Sequence, residues 1–393
     1  MRTGGDIASE AHQDMGREAR QDIGREASHD VGREAGRDTS SALVIEQVTS
    51  REAADRWHQI SQESFEADYF EMPADPVQEI YERIESTRSD DRYELWLGSI
   101  GTEPGSAGVP VVLGEVRLPM LDNVDNAVVN VCTRPAFRER GYGTAMLDHL
   151  TARARANGRT RLIGDICEPM PPSEPGNASL APPPGARFAA RAGARPVTTE
   201  VRRLLRIGDI DDVRLSHLNE DAAAHSADYS LIQWQGPAPA DVIDDLVVLH
   251  SRMTIDAPLE DLDWEPENWT PERYREREQR VVANGQVCLC TVARHEPSGQ
   301  IVALTDIGVT TAQPEIAYQW ATIVLPSHRG HRLGMLVKLA NLEFLRTSRP
   351  SVRTLNTWNA AINDHMVAIN EAIGFRAVER WREWQLELSS PTS

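Results

Sequence analysis

Two stretches of this chain, about 190 residues apart, carry the same strand–loop–helix pattern. In the first, residues 126–150, a valine-rich run from Ala127 to Cys132 reads as a buried strand. Pro135 then ends ladder pairing. Arg138-Glu139-Arg140-Gly141-Tyr142-Gly143-Thr144 follows and leads into a helix with Met146, Leu147, Leu150 and Ala154 on one face. In the second, residues 321–342, Pro326 precedes Arg329 as Pro135 precedes Arg138. Arg329-Gly330-His331-Arg332-Leu333-Gly334 repeats the loop, with Arg332 where the first copy has Gly141, and Leu333, Leu336, Val337 and Ala340 form the helix stripe. Two such units in matching register indicate an internal duplication.

A strand that turns directly into a helix leaves backbone N–H groups unpaired at the positive end of the helix dipole, which is a seat for an anion. Glycine lets a diphosphate approach the backbone closely. A dinucleotide fingerprint would need a third glycine, where Met146 stands, and a Walker loop would need Gly-Lys-Ser/Thr. Neither is present. Arg332 is expected in a helical conformation with its side chain in solvent.

Arg-x-x-Gly-x-Gly between a strand and a helix resembles the coenzyme A diphosphate loop of the GCN5-related N-acetyltransferase (GNAT) family. The tandem layout is similar to the mycothiol-synthase-like double acetyltransferases of actinobacteria. The resemblance runs over residues 42–390. It implies an α+β fold: two GNAT domains, each a mixed, mostly antiparallel sheet flanked by helices. It also implies acetyl-CoA as donor, held by residues 138–144 and 329–334. Arg138 and Arg329 are expected to pair with phosphate oxygens, and Asn363 to contact the pantetheine amides.

The strand and helix signals repeat in the same order. Leu43–Val48 reads as a strand, Glu52–Glu66 and Val77–Thr87 as helices, and Tyr93–Ile100 and Val111–Leu118 as strands. Arg161–Ile166 is a strand, residues 168–185 an irregular Pro-rich excursion, Arg187–Ala192 a helix, and Val197–Ile207 a closing strand. In the second half Tyr229–Gln235, Val287–Arg294, Ile301–Val309, Ile316–Val324, Val352–Thr357 and Phe375–Leu388 are strand-like. Ala240–Met253, Pro271–Val282 and Ala360–Ile373 are helical, the last stopped by Gly374. Domains at 41–207 and 208–393 follow. Residues 1–40 hold an octapeptide repeat (QDMGREAR, QDIGREAS) with one apolar residue and one glycine per copy, and this reads as a disordered tail.

A net charge of −19 opposes nonspecific nucleic-acid binding, including aminoacyl transfer from charged tRNA. The four cysteines lack zinc spacing, and no metal site is expected. No apolar run is long enough for a membrane span or a signal-peptide core, so a cytoplasmic, monomeric or homodimeric protein is expected.

Acyl transfer to an amine needs a held donor, a base and a place for the oxyanion. The family's base position falls about eleven residues before the leading Arg, on Ala127 and Tyr318. Ala127 cannot titrate. Tyr318 can relay a proton, with Glu315 and His250 as alternatives. The family's Tyr-x-x-x-Gly-Phe acid is missing from both copies, Ala189–Ala194 and Asn370–Phe375. Seven of nine tryptophans lie in the second half, as do Asn356, Asn359, Asn363 and Asn370 around its last helix. The expected function is therefore acetylation of a small amine, with the chemistry in the second half. The alternative is a noncatalytic acyl-CoA sensor, which would release no thiol.

Overall fold

The computed structural model describes residues 42–101, 108–170, 182–256 and 258–388. The octapeptide repeat and part of the Pro-rich excursion lie outside them. Ala42–Ser393 forms one unit.

The first half runs β1 (Val44–Gln47), α1 (Arg51–Asp68), α2 (Val77–Glu85), β2 (Asp91–Ile100), β3 (Val109–Pro119), β4 (Asn126–Thr133), α3 (Tyr142–Ala156), β5 (Arg161–Pro169), α4 (Pro184–Arg191) and β6 (Arg195–Arg206). The second runs α5 (Asp212–Ala224), β7 (Tyr229–Gln235), α6 (Ile243–Asp256), α7 (Pro271–Ala283), β8 (Gln286–His295), β9 (Ile301–Thr310), β10 (Ile316–Val324), α8 (Leu333–Ser348), β11 (Thr354–Ala360), α9 (Asp364–Ile373) and β12 (Arg376–Glu387). Helices α1, α5 and α7 start where a side-chain oxygen takes an otherwise unpaired N–H: Ser50 from Ala53, Asp211 from Arg214, and Thr270 from Arg273. α5 was not among the helices expected. Its apolar stripe is thin, which hides the periodicity.

All strands join one 12-stranded sheet in the order β1-β2-β3-β4-β5-β12-β6-β11-β10-β9-β8-β7. Among the described strands only β4–β5 and β10–β11 are parallel. The sheet is mixed and mostly antiparallel, as expected. The expected closure of the first half by its own last strand is corrected. β6 pairs with β12 and β11, both from the second half, while β12 slots between β5 and β6. The two halves have exchanged their final strands. Burial drives this: Leu205 of β6 packs in the second half's core with Leu289, Leu304 and Val337, whereas Leu386 and Leu388 pack in the first half's core with Val116, Leu150 and Leu162.

The segments after α1 and α6 cross as well. Residues 69–76 lie on the second half: the Phe70 N–H donates to Glu379 Oε1 (2.5 Å), and Gln313 Nε2 donates to the Ala74 carbonyl (2.9 Å). Residues 258–270 lie on the first half: Asn126 Nδ2 donates to the Asp263 carbonyl (3.0 Å), and the Glu265 N–H donates to Asn123 Oδ1 (2.6 Å).

Candidate functional site

The two loops have one geometry. After β4 a short turn, Pro135–Phe137, leads to Arg138 and then α3. Glu139 (φ 61°) and Gly141 (φ 87°) are left-handed, and α3 has no side-chain cap. After β10 the turn Pro326–His328 leads through Arg329 to α8, with Gly330 (φ 88°) and Arg332 (φ 56°) left-handed and again no side-chain cap. Alternation of left- and right-handed residues turns successive N–H groups toward one point, an anion-binding concavity. The helical conformation expected for Arg332 is therefore wrong. A left-handed residue is needed two positions apart in each loop, and each copy supplies glycine at only one of them. Arg332 does reach outward, with Nε 3.3 Å from Asp221.

The leading arginines are already engaged. Arg138 donates from both terminal nitrogens to Asp68 (2.8 and 2.6 Å) and from Nε to the Thr133 carbonyl (3.1 Å). Arg329 donates to Asp256 (2.7 Å) and to the Val324 carbonyl (3.3 Å). Each pins the loop to the last residue of α1 or α6, so a direct phosphate contact would first have to displace that carboxylate. Arg140 stacks on Phe137, while Glu139 and Thr144 are exposed. Tyr142 packs on the first core, and Leu333 is buried in the second. The His331 ring lies beside Tyr229. Gly143 and Gly334 face α4 and α9: a Cβ on Gly143 would lie 3.3 Å from Thr133 Oγ1, and one on Gly334 would lie 3.4 Å from Ile369.

Beside each loop the parallel strands part. β4 and β5 pair only from Asn126/Arg161 to Val128/Ile163. At Gly164 the β4 backbone is so close that a Cβ would sit 2.9 Å from the Val129 carbonyl oxygen. Asp165 follows immediately, at the mouth of this wedge. It is directly opposite Glu383 of β12, and Glu383 is opposite Thr198 of β6, two residues from Glu200. Direct register partners, and residues two apart on a strand, share a face. Burial pushes the Glu383 carboxyl up to about 8, reinforced by Asp165 and Glu200, with Arg117 opposing. Burial of its carboxyl raises Asp165 to about 6, with Arg117 opposing, although the residue as a whole is exposed, and Glu200 is raised by burial and by Asp165. Glu383 Oε2 is buried without a hydrogen-bond partner. None of these three carboxylates stood out in the sequence, because only the strand exchange brings Glu383 to Asp165.

The second wedge opens beyond Gln319/Thr357. Tyr318 stacks on Trp358 (centroids 6.2 Å apart), which meets Trp381 edge-on, and burial raises the Tyr318 hydroxyl to about 12. Glu315 is exposed and paired with Arg353 at 3.1 Å, before β10 begins. His250 is buried among Trp269 and Tyr274, and that burial holds it down to about 3. Asn363 caps α9, accepting from the Met366 N–H (3.2 Å), so its side chain already has a structural partner. The helix expected from Ala360 instead begins at Asp364, beyond that cap.

Among the described residues no helix is long and apolar enough to cross a membrane. Residues 54–171 match the model of the acetyltransferase (GNAT) family. Among solved structures, the chain is similar to a tandem GNAT protein from the clavulanic acid biosynthesis pathway, at 26% identity and TM-score 0.71, over 90% of this chain and 100% of that one. It shares its fold with a GCN5-related N-acetyltransferase from Sphaerobacter thermophilus, at 14% identity and TM-score 0.57, over 88% of this chain and 95% of that one. No curated protein matches by sequence.

Proposed function

We propose that the chain, which resembles a tandem of two GNAT acetyltransferase folds, transfers an acetyl group from acetyl-CoA to a small amine. The uncapped starts of α3 and α8, with their left-handed turns, suit a diphosphate. Acetyl-CoA supplies the activated acyl group, and the chain's own residues hold it and move protons.

Our reading puts the chemistry in the first half, not the second as the sequence suggested. The observation that carries it is the carboxylate group at the mouth of the first wedge. An amine attacks only once its proton is gone. Glu383, with a buried, unpartnered oxygen and an affinity for protons near neutrality, is the residue suited to take it. Asp165 and Glu200 offer an ammonium group its counter-charges. Among the described residues the second wedge shows no comparable base, since Tyr318 is stacked under Trp358 and Glu315 is exposed and paired with Arg353. That half reads as a binding half, which keeps part of the sensor alternative.

The test is thiol release from acetyl-CoA with a panel of primary amines. Glu383→Gln should lower turnover by about 100-fold or more, the usual worth of a positioned base. In the wild type the rate should rise with pH through about 8, as Glu383 becomes the free base. Asp165→Asn removes a charge that raises the Glu383 carboxyl, so the rise should move to lower pH. Undiminished turnover in Glu383→Gln would contradict the reading.

A further inference from the structure

A line of aromatic rings crosses the sheet from one half to the other. Phe65 of α1 stacks on Tyr69 (centroids 4.2 Å apart), and Tyr69 meets Trp381 of β12 (5.4 Å). Trp381 stands at 81° to Trp358 of β11 (6.0 Å), and Trp358 stacks on Tyr318 of β10 (6.2 Å). Rings in contact are ordinarily core. These are not: among the described residues none of the five packs into a hydrophobic core, and all five stay half-buried. An apolar wall of this length forgoes hydrophobic stabilisation while nothing covers it.

The wall and the three carboxylates form one site. Trp381 is directly opposite Glu200 and two residues before Glu383, and Glu383 is opposite Asp165. All four side chains therefore share one face. Two residues of strand span roughly 7 Å, so a ring lying on Trp381 has one carboxylate that far along β12 and another beside it on β6. Among the described residues none of the three carboxylates is in a salt bridge, and Glu383 Oε2 is buried without a partner. The wall is also held in place. Trp381 Nε1 donates to Glu379 Oε2 (3.4 Å), and Glu379 is ion-paired with Arg202 (2.7 Å). With its polar edge satisfied, the indole keeps its apolar surface for a guest. Beside Tyr318 at the far end, Asn356 is 1% exposed; its Oδ1 accepts from Arg202, and its Nδ2 has no acceptor. A buried donor left unpaired is costly, so this face is incomplete as packing alone.

Resting on the acetyl-transfer reading, we infer that the acceptor is an arylalkylamine, a primary amine joined by a short chain to a flat ring. Its ammonium group lies among Glu383, Glu200 and Asp165, and its ring lies against Trp381 and Trp358. Flat rings gain from offset or edge-on contact with an indole beyond the area they bury. An aliphatic amine of similar length meets the carboxylates but forgoes that gain. A ring-bearing amino acid is disfavoured, because its own carboxylate would sit beside three others.

The experiment measures thiol release from acetyl-CoA by the full chain with phenethylamine, n-hexylamine and phenylalanine. The expected result is a kcat/KM about tenfold higher for phenethylamine than for n-hexylamine, with phenylalanine the poorest. Trp381→Leu, which keeps an apolar side chain, should raise KM for phenethylamine about tenfold with little change in kcat. It should leave n-hexylamine unaffected, and Trp381→Phe should keep the preference. Equal use of phenethylamine and n-hexylamine by the wild type would overturn the inference, and that comparison holds even where a variant fails to fold. An undiminished preference in Trp381→Leu would overturn it as well. Absence of thiol release with every amine would instead overturn the acetyl-transfer reading itself.

Discussion

Arg202, on the last strand of the first half, is ion-paired with Glu379, on the last strand of the second, at 2.7 Å, and both side chains are almost wholly buried. Arg202 also donates to Asn356 Oδ1 (2.6 Å) and to the Phe70 carbonyl, and the Phe70 N–H donates to Glu379. One pair thus ties both exchanged strands, β11 and the segment after α1 into a single knot. Removing one partner leaves the other charge buried and uncompensated. Arg202→Ala should cost about 3–5 kcal/mol in urea unfolding, while Arg202→Met with Glu379→Leu should recover most of it. A loss below about 1 kcal/mol, the level of an exposed pair, would mean that the knot does not hold the halves together.

Arg332 is left-handed at φ 56°, and its side chain is in solvent. A non-glycine residue there carries a cost of about 1–2 kcal/mol. Arg332→Gly removes that strain but adds freedom to the unfolded chain. The expected net effect is a gain of about 0.5–1 kcal/mol, read as a higher Tm. The mirror substitution, Gly141→Ala, should lower Tm by a similar amount. A Tm drop in Arg332→Gly would show that the Asp221 contact outweighs the strain.

Tyr318→Phe keeps the stack on Trp358 and removes only a hydroxyl that burial holds neutral until about pH 12. Turnover should change by less than about twofold, far short of the loss of a general acid or base. A loss of 100-fold or more would return the chemistry to the second half.

Lys338 lies on α8 and is 2% exposed, and its burial makes stability depend on pH. Its folded value, about 7, lies below the ordinary lysine value of 10.5. Between those limits the unfolded chain holds the proton and the folded chain does not, so stability rises with pH across that window. Lys338→Met should be more stable than the wild type below pH 7 and should lack this part of the rise. The urea midpoint of both proteins from pH 6 to pH 10 measures it. Parallel curves would mean that the amine keeps its proton on folding.

The loops were legible because their chemistry is local. Proline three residues before arginine, then glycine near a helix start, occurs twice and marks both loops, and alternating strand patterns gave the sheet's composition. The strand exchange was not legible: β6 and β12 alternate in the same way whichever partner they choose, and register is a long-range property. Glu383 was lost with it. Its segment, Phe375–Leu388, reads only as strand-like. Arg332 was misread because the copies place their glycine at different members of a left-handed pair. The capping role of Asn363 was legible, since an asparagine just ahead of a helix is a capping signal.

The central claim, that each loop seats one acetyl-CoA, is tested most directly by calorimetry on two variants. Gly141 and Gly330 have nearly equal left-handed backbones, at φ 87° and 88°, which a β-branched residue cannot adopt without strain. The account predicts two acetyl-CoA molecules per wild-type chain, one lost in Gly141→Val and the other in Gly330→Val. Wild-type binding in both variants would contradict it.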